Sequence, residues 1–176
     1  DSGKLLQIFL DKLAAANVVV LSDYGKGFIK DCQSLILAAK EAGKRVIVDP
    51  KSENFSHYAG AYIITPNLTE FETCVGHCEN ENDIIERGLQ LCRQHDFGAV
   101  LITRGEHGMT LVSPDRSSFT LTAKARDVFD VTGAGDTVCA VVASALAAGA
   151  ELADAIVYAN AAAGIVVGKL GTATVD

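Results

Sequence analysis

Four short apolar runs recur along the chain, and polar residues follow each of them directly. A continuous apolar run of this length predicts a strand that is buried on both faces of a sheet. The four predicted strands lie within residues 17–23, 45–51, 61–67 and 98–105. Residues 108–123 differ, because two alternating runs flank a turn at 113–117, which predicts a β-hairpin.

Between and around these strands, apolar residues recur at the spacing of one helical face. Gly43 and Gly76 predict the ends of two helices, and Asn80 or Asn82 predicts the start of another. The predicted helices lie within residues 4–16, 26–45 (after a loop), 68–76, 80–96, 133–150 and 152–171. The last two are apolar on almost every side, so we expect both to be buried.

Strands that alternate with helices predict an α/β fold, with a mainly parallel sheet and helices on both faces. Ligands of such sheets bind at the carboxyl ends of the strands. The polar segments at those ends are residues 22–24, 49–51, 65–67 and 103–105. Any one of them is explained as a loop that ends a strand, but four together favour a binding site.

The composition is that of a globular protein, with 49% hydrophobic and 21% charged residues in 176. This length favours one domain with a substantial core. A net charge of −7 argues against a nucleic-acid partner, which needs a basic face. An anionic substrate stays open, because a few local cations and backbone amides can hold a phosphate.

The five cysteines, with no visible signal sequence, favour reduced thiols in a cytoplasmic protein. Cys74, His77 and Cys78 lie close together, but the spacing is loose and no second ligand cluster follows. We therefore interpret these cysteines as buried thiols and not as a zinc site. The apolar segment that comes closest to a membrane helix, residues 137–150, is too short to cross a membrane, so we expect no membrane association.

A glycine-rich segment, DVFDVTGAGDTVCA at residues 127–140, places Gly133, Gly135 and Asp136 at the head of an apolar helix. Two well-known phosphate-binding motifs do not match the sequence. The best P-loop candidate lies elsewhere, at Gly168 and Lys169, and has Leu170 where Ser or Thr should stand. A dinucleotide fingerprint that begins at Gly133 would need Gly or Ala where Val138 stands.

The first turn of this helix remains a candidate anion site. Free N–H groups of Gly133, Ala134 and Gly135 would point outward beside the positive end of the helix dipole. Asp136 is then either a base that takes a proton from a hydroxyl or an acid that only complements the dipole. A base next to a phosphate-sized anion site is what phosphoryl transfer to a hydroxyl requires.

Three motifs occur in the order found in one enzyme family. DVTGAGD (residues 130–136) resembles the carboxyl-terminal signature of the ribokinase-type (PfkB) carbohydrate kinases. PNLTEFE (66–72) resembles the N-x-x-E motif of that family, and ITRGEHG (102–108) resembles its nucleotide-binding strand and turn. The resemblance covers the whole chain. It implies a three-layer ribokinase-like fold and an ATP-dependent carbohydrate kinase.

The resemblance also implies roles for individual residues. Asp136 would take the proton from the sugar hydroxyl, while the amides of Gly133, Ala134 and Gly135 would hold the transferring phosphoryl group. The nucleotide would bind with Mg²⁺. The residues implied at the nucleotide are Asn67, Glu70, Thr103, Gly105, Gly108 and Asn160.

Some of these residues have two interpretations. Asn67 and Glu70 would help to place Mg²⁺, with Glu70 acting indirectly, but the same pair is also a helix cap followed by a solvated acid. Asn160 lies either near the adenine or in the core as a satisfied amide. The family also implies a monovalent cation such as K⁺ near Asp130 and Thr132, with the carbonyls of residues 167–172 completing its shell.

Three further residues are candidates for binding the substrate phosphate. Lys51 follows a predicted strand, while Asp23 and Lys26 either reach a phosphate or pair with each other. Residues 22–27, 49–51 and 167–175 look most like the heptose 7-phosphate kinases of the family. Those enzymes use ATP to make the 1,7-bisphosphate, a precursor of lipopolysaccharide core heptose, and are joined to an adenylyltransferase.

Other interpretations stay open at this point. One is a related kinase for ribose, fructose 1-phosphate or tagatose 6-phosphate, and another is a non-catalytic nucleotide-binding module. An intact Asp136 argues against the second.

Family members are much longer than this chain, so residues 1–176 would be the carboxyl-terminal nucleotide-binding and catalytic part of a kinase domain, from a protein expected to be a homodimer. The segment that contacts the sugar would precede this part. We therefore expect the isolated chain to hold nucleotide without phosphorylating a sugar. A missing neighbour would also leave a strand near residues 18–21 with an open edge or face, so we expect poor solubility or self-association.

Overall fold

The computed structural model describes residues 2–23, 31–51, 53–115, 118–123, 132–169 and 174. Within these ranges the strands form one sheet whose spatial order follows the chain. The strands are β1 (Val18–Ser22), β2 (Arg45–Asp49), β3 (Ile63–Ile64), β4 (Ala99–Thr103), β5 (Met109–Val112) and β6 (Phe119–Leu121). β1 to β4 pair in parallel, and β4 to β6 pair antiparallel. The mainly parallel sheet and the hairpin are confirmed.

The predicted helices are also present, with shifted ends. They are α1 (Ser2–Leu13), α2 (Cys32–Glu41), α3 (Leu68–Val75), α4 (Glu81–His95), α5 (Ala134–Ala147) and α6 (Leu152–Val166). The side chain of Asn80 accepts from the Asp83 N–H, so Asn80 and not Asn82 caps α4. The sequence patterns missed two short 3₁₀ turns, Phe55–Tyr58 and Gly105–His107.

The helices form a layer on each side of the sheet. Because successive strand residues point to opposite faces, Val46 and Val48 of β2 face one layer while Ile47 faces the other. One core cluster joins the sheet to α1, α2, α3 and α4, and a second cluster joins it to α5 and α6. The three-layer arrangement thus places the amino end of α5 on the opposite side of the sheet from α3.

Two expectations about burial are wrong. β1 is not buried on both faces, since it pairs only with β2 among the described residues and Val20 is 44% exposed. The unpaired edge and uncovered face expected near residues 18–21 are therefore present. α6 is not buried all round either, because Val157, Tyr158 and Ile165 are exposed.

β3 is shorter than the predicted strand because a proline follows it. Pro66 has no N–H group to continue the ladder, but its carbonyl accepts from the Thr103 N–H at 3.0 Å. This bond and a bridge between Asn67 and Thr103 keep the chain beside β4 for three more residues. The start of α3 is thereby fixed next to the end of β4.

None of the helices in the described part of the chain is both long enough and apolar enough to cross a membrane.

Candidate active site

The carboxyl ends of β2 and β4 face the amino end of α5 across a cavity of about 640 Å³. Most of the residues singled out in the sequence meet here. Lys51, Asn67, Glu70, Thr103, Gly105, Gly108, Gly133, Ala134, Gly135, Asp136 and Asn160 all line this cavity. The fold therefore brings together segments that are far apart in the chain.

The amino end of α5 has the geometry expected of an anion site. Gly133 is the N-cap and has a φ of 80°, a conformation that glycine adopts without strain. No side chain caps this helix end, so the N–H groups of its first turn have no acceptor within the helix. A Cβ atom on Gly135 would meet nothing within 4 Å, so a ligand can approach the backbone closely. Asp136 lies in the same turn.

Asn67 and Glu70 form a reciprocal capping box at the start of α3. The Glu70 N–H donates to Asn67 Oδ1 at 2.8 Å, and the Asn67 N–H donates to Glu70 Oε2 at 2.9 Å. The interpretation of Asn67 as a helix cap is therefore confirmed. The second carboxylate oxygen, Glu70 Oε1, accepts from Lys51 Nζ at 3.0 Å and lies at the cavity.

Lys51 is held by two carboxylates. Its Nζ atom lies 3.0 Å from Glu70 Oε1 and 3.5 Å from Asp49 Oδ1. Desolvation lowers the pKa of Lys51, but the hydrogen bond to Glu70 and the charge of Asp49 outweigh it, so the pKa is raised above its usual value. Lys51 therefore stays protonated and places a positive charge at the cavity wall.

Asp49 is a site residue that sequence reasoning did not assign. It is only 5% exposed at the end of β2, and its carboxylate accepts from Ser22 Oγ at 3.4 Å. Burial raises its pKa, the Lys51 ammonium opposes this rise, and the charges of Asp136 and Glu70 add to it. The signal available in the sequence was an acid at the end of a predicted buried strand.

The turn between β4 and β5 forms another wall of the cavity. Gly105 and Gly108 have φ values of 57° and 83°, and a Cβ atom on Gly108 would collide with the backbone carbonyl of Leu121. Arg104 stabilises the turn through two hydrogen bonds. Its backbone N–H donates to the Gly108 carbonyl at 2.7 Å, and its guanidinium donates to Thr110 Oγ1 at 3.0 Å. Gly108 therefore has a structural role as well as a position at the cavity.

Asn160 is a satisfied core amide that also lines the cavity. Its Nδ2 group donates to the Thr122 carbonyl at 2.9 Å and the residue is only 4% exposed, as expected of a satisfied core amide. Apolar residues also line this cavity. They include Ala163 and Val167, which follow Asn160 closely in the chain, and Met109 and Ala123.

The remaining candidates are not brought to this cavity. Asp23 accepts from the Tyr58 hydroxyl at 2.6 Å and is not a lining residue. Thr132 precedes the helix cap and does not line the cavity either. Lys26 and Asp130 lie outside the described residues, so the pairing of Asp23 with Lys26 stays a prediction.

Within the described ranges, no group of three or more His, Cys, Asp and Glu side chains is arranged to hold a metal ion by itself. Cys74 and Cys78 are partly buried, and burial raises the pKa of both thiols. A divalent cation in the cavity would thus need ligands besides protein carboxylates, such as phosphate oxygens and water.

Comparison with known proteins supplies the family. The model of the pfkB family carbohydrate kinases matches residues 2–176. The chain belongs to the pfkB family of carbohydrate kinases. The recognised motifs of this pfkB-family chain, at residues 66–72, 102–108 and 130–136, all lie within the matched range.

The curated relatives of this pfkB-family chain include bifunctional proteins. Bifunctional protein HldE of Pseudomonas putida (strain GB-1) is 58% identical over 164 residues, which are 93% of this chain and 35% of the relative. Bifunctional protein HldE of Stutzerimonas stutzeri (strain A1501) is 55% identical over 176 residues, which are 100% of this chain and 37% of the relative. The chain thus spans little more than a third of the length of these relatives.

Solved structures confirm the ribokinase-like fold. Arabidopsis thaliana ribokinase complexed with ribose and ATP is 27% identical with a TM-score of 0.81, covering 93% of this chain and 53% of that one. Escherichia coli phosphofructokinase-2 in complex with potassium is 21% identical with a TM-score of 0.79, covering 94% of this chain and 56% of that one. At 21% identity, the likeness to phosphofructokinase-2 shows a shared fold alone.

Proposed function

We propose that this pfkB-family chain is the ATP-binding and phosphoryl-transfer part of a sugar-phosphate kinase, which converts heptose 7-phosphate to heptose 1,7-bisphosphate for lipopolysaccharide core synthesis. The observation that carries this proposal is the position of Asp136. It lies in the first turn of α5, beside the uncapped amides of Gly133 to Gly135, in one cavity with Glu70 and Lys51. A carboxylate that can serve as the base is thereby next to a candidate anion site.

The proposed step is a direct phosphoryl transfer. The Asp136 carboxylate takes the proton of the sugar hydroxyl, and the hydroxyl oxygen forms a bond to the γ-phosphorus of ATP. The bond from that phosphorus to the β,γ-bridging oxygen breaks, and ADP leaves with the electron pair. The amides at residues 133–135 hold the negative charge of the transferring group, which is most of the catalysis such a reaction needs.

The cavity also fits the divalent cation that such a reaction uses. Four carboxylates line it, those of Asp49, Glu70, Glu106 and Asp136, against the single ammonium of Lys51 among the described lining residues. A triphosphate would be repelled by this lining unless a cation came with it. Carboxylate oxygens suit Mg²⁺, so Glu70 and Asp49 would hold it directly or through water. Bound Mg²⁺ would neutralise charge on the β- and γ-phosphates.

The nucleotide would lie along the β4–β5 turn. Thr103, Gly105 and Gly108 bring backbone to the cavity wall there, and Asn160 lies among the apolar lining residues that would receive the adenine. Lys51 is proposed to bind a phosphate. The ribokinase that shares this fold is complexed with ribose and ATP, which supports the nucleotide part of the proposal.

A monovalent cation is part of the proposal. Thr132 precedes the glycine turn, and Val167, which caps α6, lines the cavity. A K⁺ ion held near Thr132 with help from carbonyls of residues 167–172 would fix the anion site. Asp130, which the family resemblance adds, lies outside the described residues. Escherichia coli phosphofructokinase-2, which shares the fold, has been solved in complex with potassium.

We also propose that the whole protein is a cytoplasmic homodimer in which the kinase is joined to an adenylyltransferase. The relatives are nearly three times as long as the matched segment and are named bifunctional. The free thiols of all five cysteines are compatible with a reducing compartment. Sizing of the full-length protein in solution tests the dimer, and a monomer at micromolar concentration would contradict it.

The decisive assay for the substrate is a panel of sugars with the full-length protein and ATP. We expect the highest kcat/KM for heptose 7-phosphate, with the 1,7-bisphosphate as product, over ribose, fructose 1-phosphate and tagatose 6-phosphate. A higher kcat/KM for one of these would reassign the substrate. ATP binding without turnover of any sugar would instead indicate a non-catalytic nucleotide-binding protein.

A further inference from the structure

Lys51 is the one cationic side chain among the described residues that line the cavity, and it already has two partners there. Its ammonium bridges Glu70 Oε1 on α3 and Asp49 Oδ1 on β2, at 3.0 and 3.5 Å. The two oxygen atoms that contact Lys51 Nζ therefore lie no farther apart than the sum of these two distances. One positive charge thus joins two acids that come from different elements of the fold.

The same two carboxylates are those that would receive a divalent cation. Such a cation sits about 2.0–2.6 Å from its oxygen ligands, so at the same pair of oxygens it would lie close to the Lys51 ammonium and be repelled by it. Asp49 is almost fully buried, and an isolated buried carboxylate is costly. The space between Asp49 and Glu70 therefore needs a positive charge, and in the structure Lys51 Nζ supplies it.

The Lys51 ammonium is also able to move away from Asp49 and Glu70. Its side chain is 37% exposed, and the four-carbon stem of a lysine rotates freely compared with an arginine fork. Glu70 has a second anchor, because its Oε2 atom stays bonded to the Asn67 N–H. Glu70 Oε1 thus keeps its place at the cavity when the ammonium moves away.

We propose that Lys51 is a built-in counter-ion that keeps free divalent cations off the Asp49–Glu70 pair until a nucleoside triphosphate arrives. The incoming phosphates draw the ammonium away from Glu70, and the divalent cation that comes with them takes the vacated carboxylate oxygens. Metal and triphosphate therefore enter together. This inference rests on the proposed nucleotide site but not on the identity of the sugar.

Manganese binding to the nucleotide-free, full-length protein tests the inference. The probe is Mn²⁺ alone, measured by the loss of its free electron paramagnetic resonance signal. We expect Lys51→Met to bind Mn²⁺ about tenfold or more tightly than the wild type, because a competing unit charge has gone. An unchanged or weaker affinity in Lys51→Met would overturn the proposal.

Two further variants locate the effect. Lys40→Met removes a lysine whose ion pair with Asp96, at 2.6 Å, lies beyond the amino end of β2, so its Mn²⁺ affinity should equal that of the wild type. Adding Glu70→Gln to Lys51→Met should abolish the gain. If the gain survives in this double variant, the new Mn²⁺ site lies elsewhere and the proposal is wrong.

The wild type alone supplies an independent test that does not require Lys51→Met to fold. We expect its Mn²⁺ affinity to rise by about tenfold or more when a non-hydrolysable ATP analogue is present, after correction for Mn²⁺ bound to free analogue. Equal Mn²⁺ affinity with and without the analogue would overturn the proposal. Failure of the sugar panel would leave these binding results unaffected, so the two claims are tested separately.

Discussion

Asn67 and Glu70 each bind the backbone of the other, and only one oxygen of Glu70 is used in doing so. The remaining oxygen, Oε1, accepts from Lys51 at the cavity. A single motif thereby starts α3 and presents a charge to the site. Its structural and chemical contributions can be separated by substitution, because glutamine preserves the capping oxygen and removes the charge.

Glu70→Gln should fold normally but lose activity. Glutamine is accepted in a capping box, so the free energy of unfolding should stay within about 0.5 kcal/mol of the wild type, while Glu70→Ala should lose about 1 kcal/mol. Both variants should lower kcat/KM for ATP about tenfold or more, because both lack the carboxylate. Denaturant unfolding and initial rates measure the two effects. Equal stability of the two variants would show that the cap contributes little.

Gly135→Ala should weaken ATP binding without harming the fold. Its Cβ atom would meet open space, so the free energy of unfolding should be unchanged or raised by up to about 1 kcal/mol. The methyl group would hold a phosphate away from the helix amides, and the loss of one charged hydrogen bond costs about tenfold or more in affinity. Calorimetric titration with ATP gives the affinity, and full wild-type affinity would exclude this turn as the phosphate site.

Gly108→Ala is the matched contrast at the same cavity. The new Cβ atom would collide with the Leu121 carbonyl, and the φ of 83° is strained for alanine. The free energy of unfolding should fall by about 2 kcal/mol or more. A thermal melt as stable as that of the wild type would show that the β4–β5 turn can rearrange.

The five thiols should differ sharply in reactivity. Burial raises the pKa of Cys32 to about 11 and those of Cys92 and Cys139 to about 12, so these stay protonated and shielded at pH 8. Iodoacetamide should therefore modify the partly buried Cys74 and Cys78 first, and the other three only after denaturation. Mass spectrometry of the native protein checks the order, and early modification of Cys139 would contradict the packing of α5.

A monovalent cation should support catalysis. We expect the full-length protein to turn over several-fold faster in K⁺ than in tetramethylammonium at equal ionic strength, because a bound ion would fix the loop before α5. The control is ATP affinity in each salt, which separates a binding effect from one on turnover. Equal rates in both salts would show that turnover does not depend on a bound monovalent cation.

Local chemistry explains which parts of the structure could be predicted from the sequence. Asn80, Asn67 and Gly76 mark helix ends through bonds to their own neighbours, so a short window of residues is enough to recognise them. The glycine turn before Asp136 is local in the same way. The apolar runs likewise predict strands, because alternation and length are properties of the segment itself.

The errors concern features that depend on distant parts of the chain. Val20 and Ile165 are apolar yet exposed, since exposure depends on what packs against the face and not on the residue. Glu70 is bound to Lys51, 19 residues earlier, and Asp49 joins them only because β2 ends beside α3. The sheet creates that cluster, so sequence reasoning noted the segment at 49–51 but assigned no role to Asp49.

The most direct test of the central claim is the kcat of Asp136→Asn in the full-length protein with ATP and heptose 7-phosphate, measured beside the Kd for ATP. Asparagine keeps the size of the side chain but cannot take the proton. The account predicts a Kd close to that of the wild type and a kcat lower by ~10²–10⁴-fold, the usual contribution of a general base. An Asp136→Asn variant that kept more than about a tenth of the wild-type kcat would contradict the assignment of Asp136 as the base.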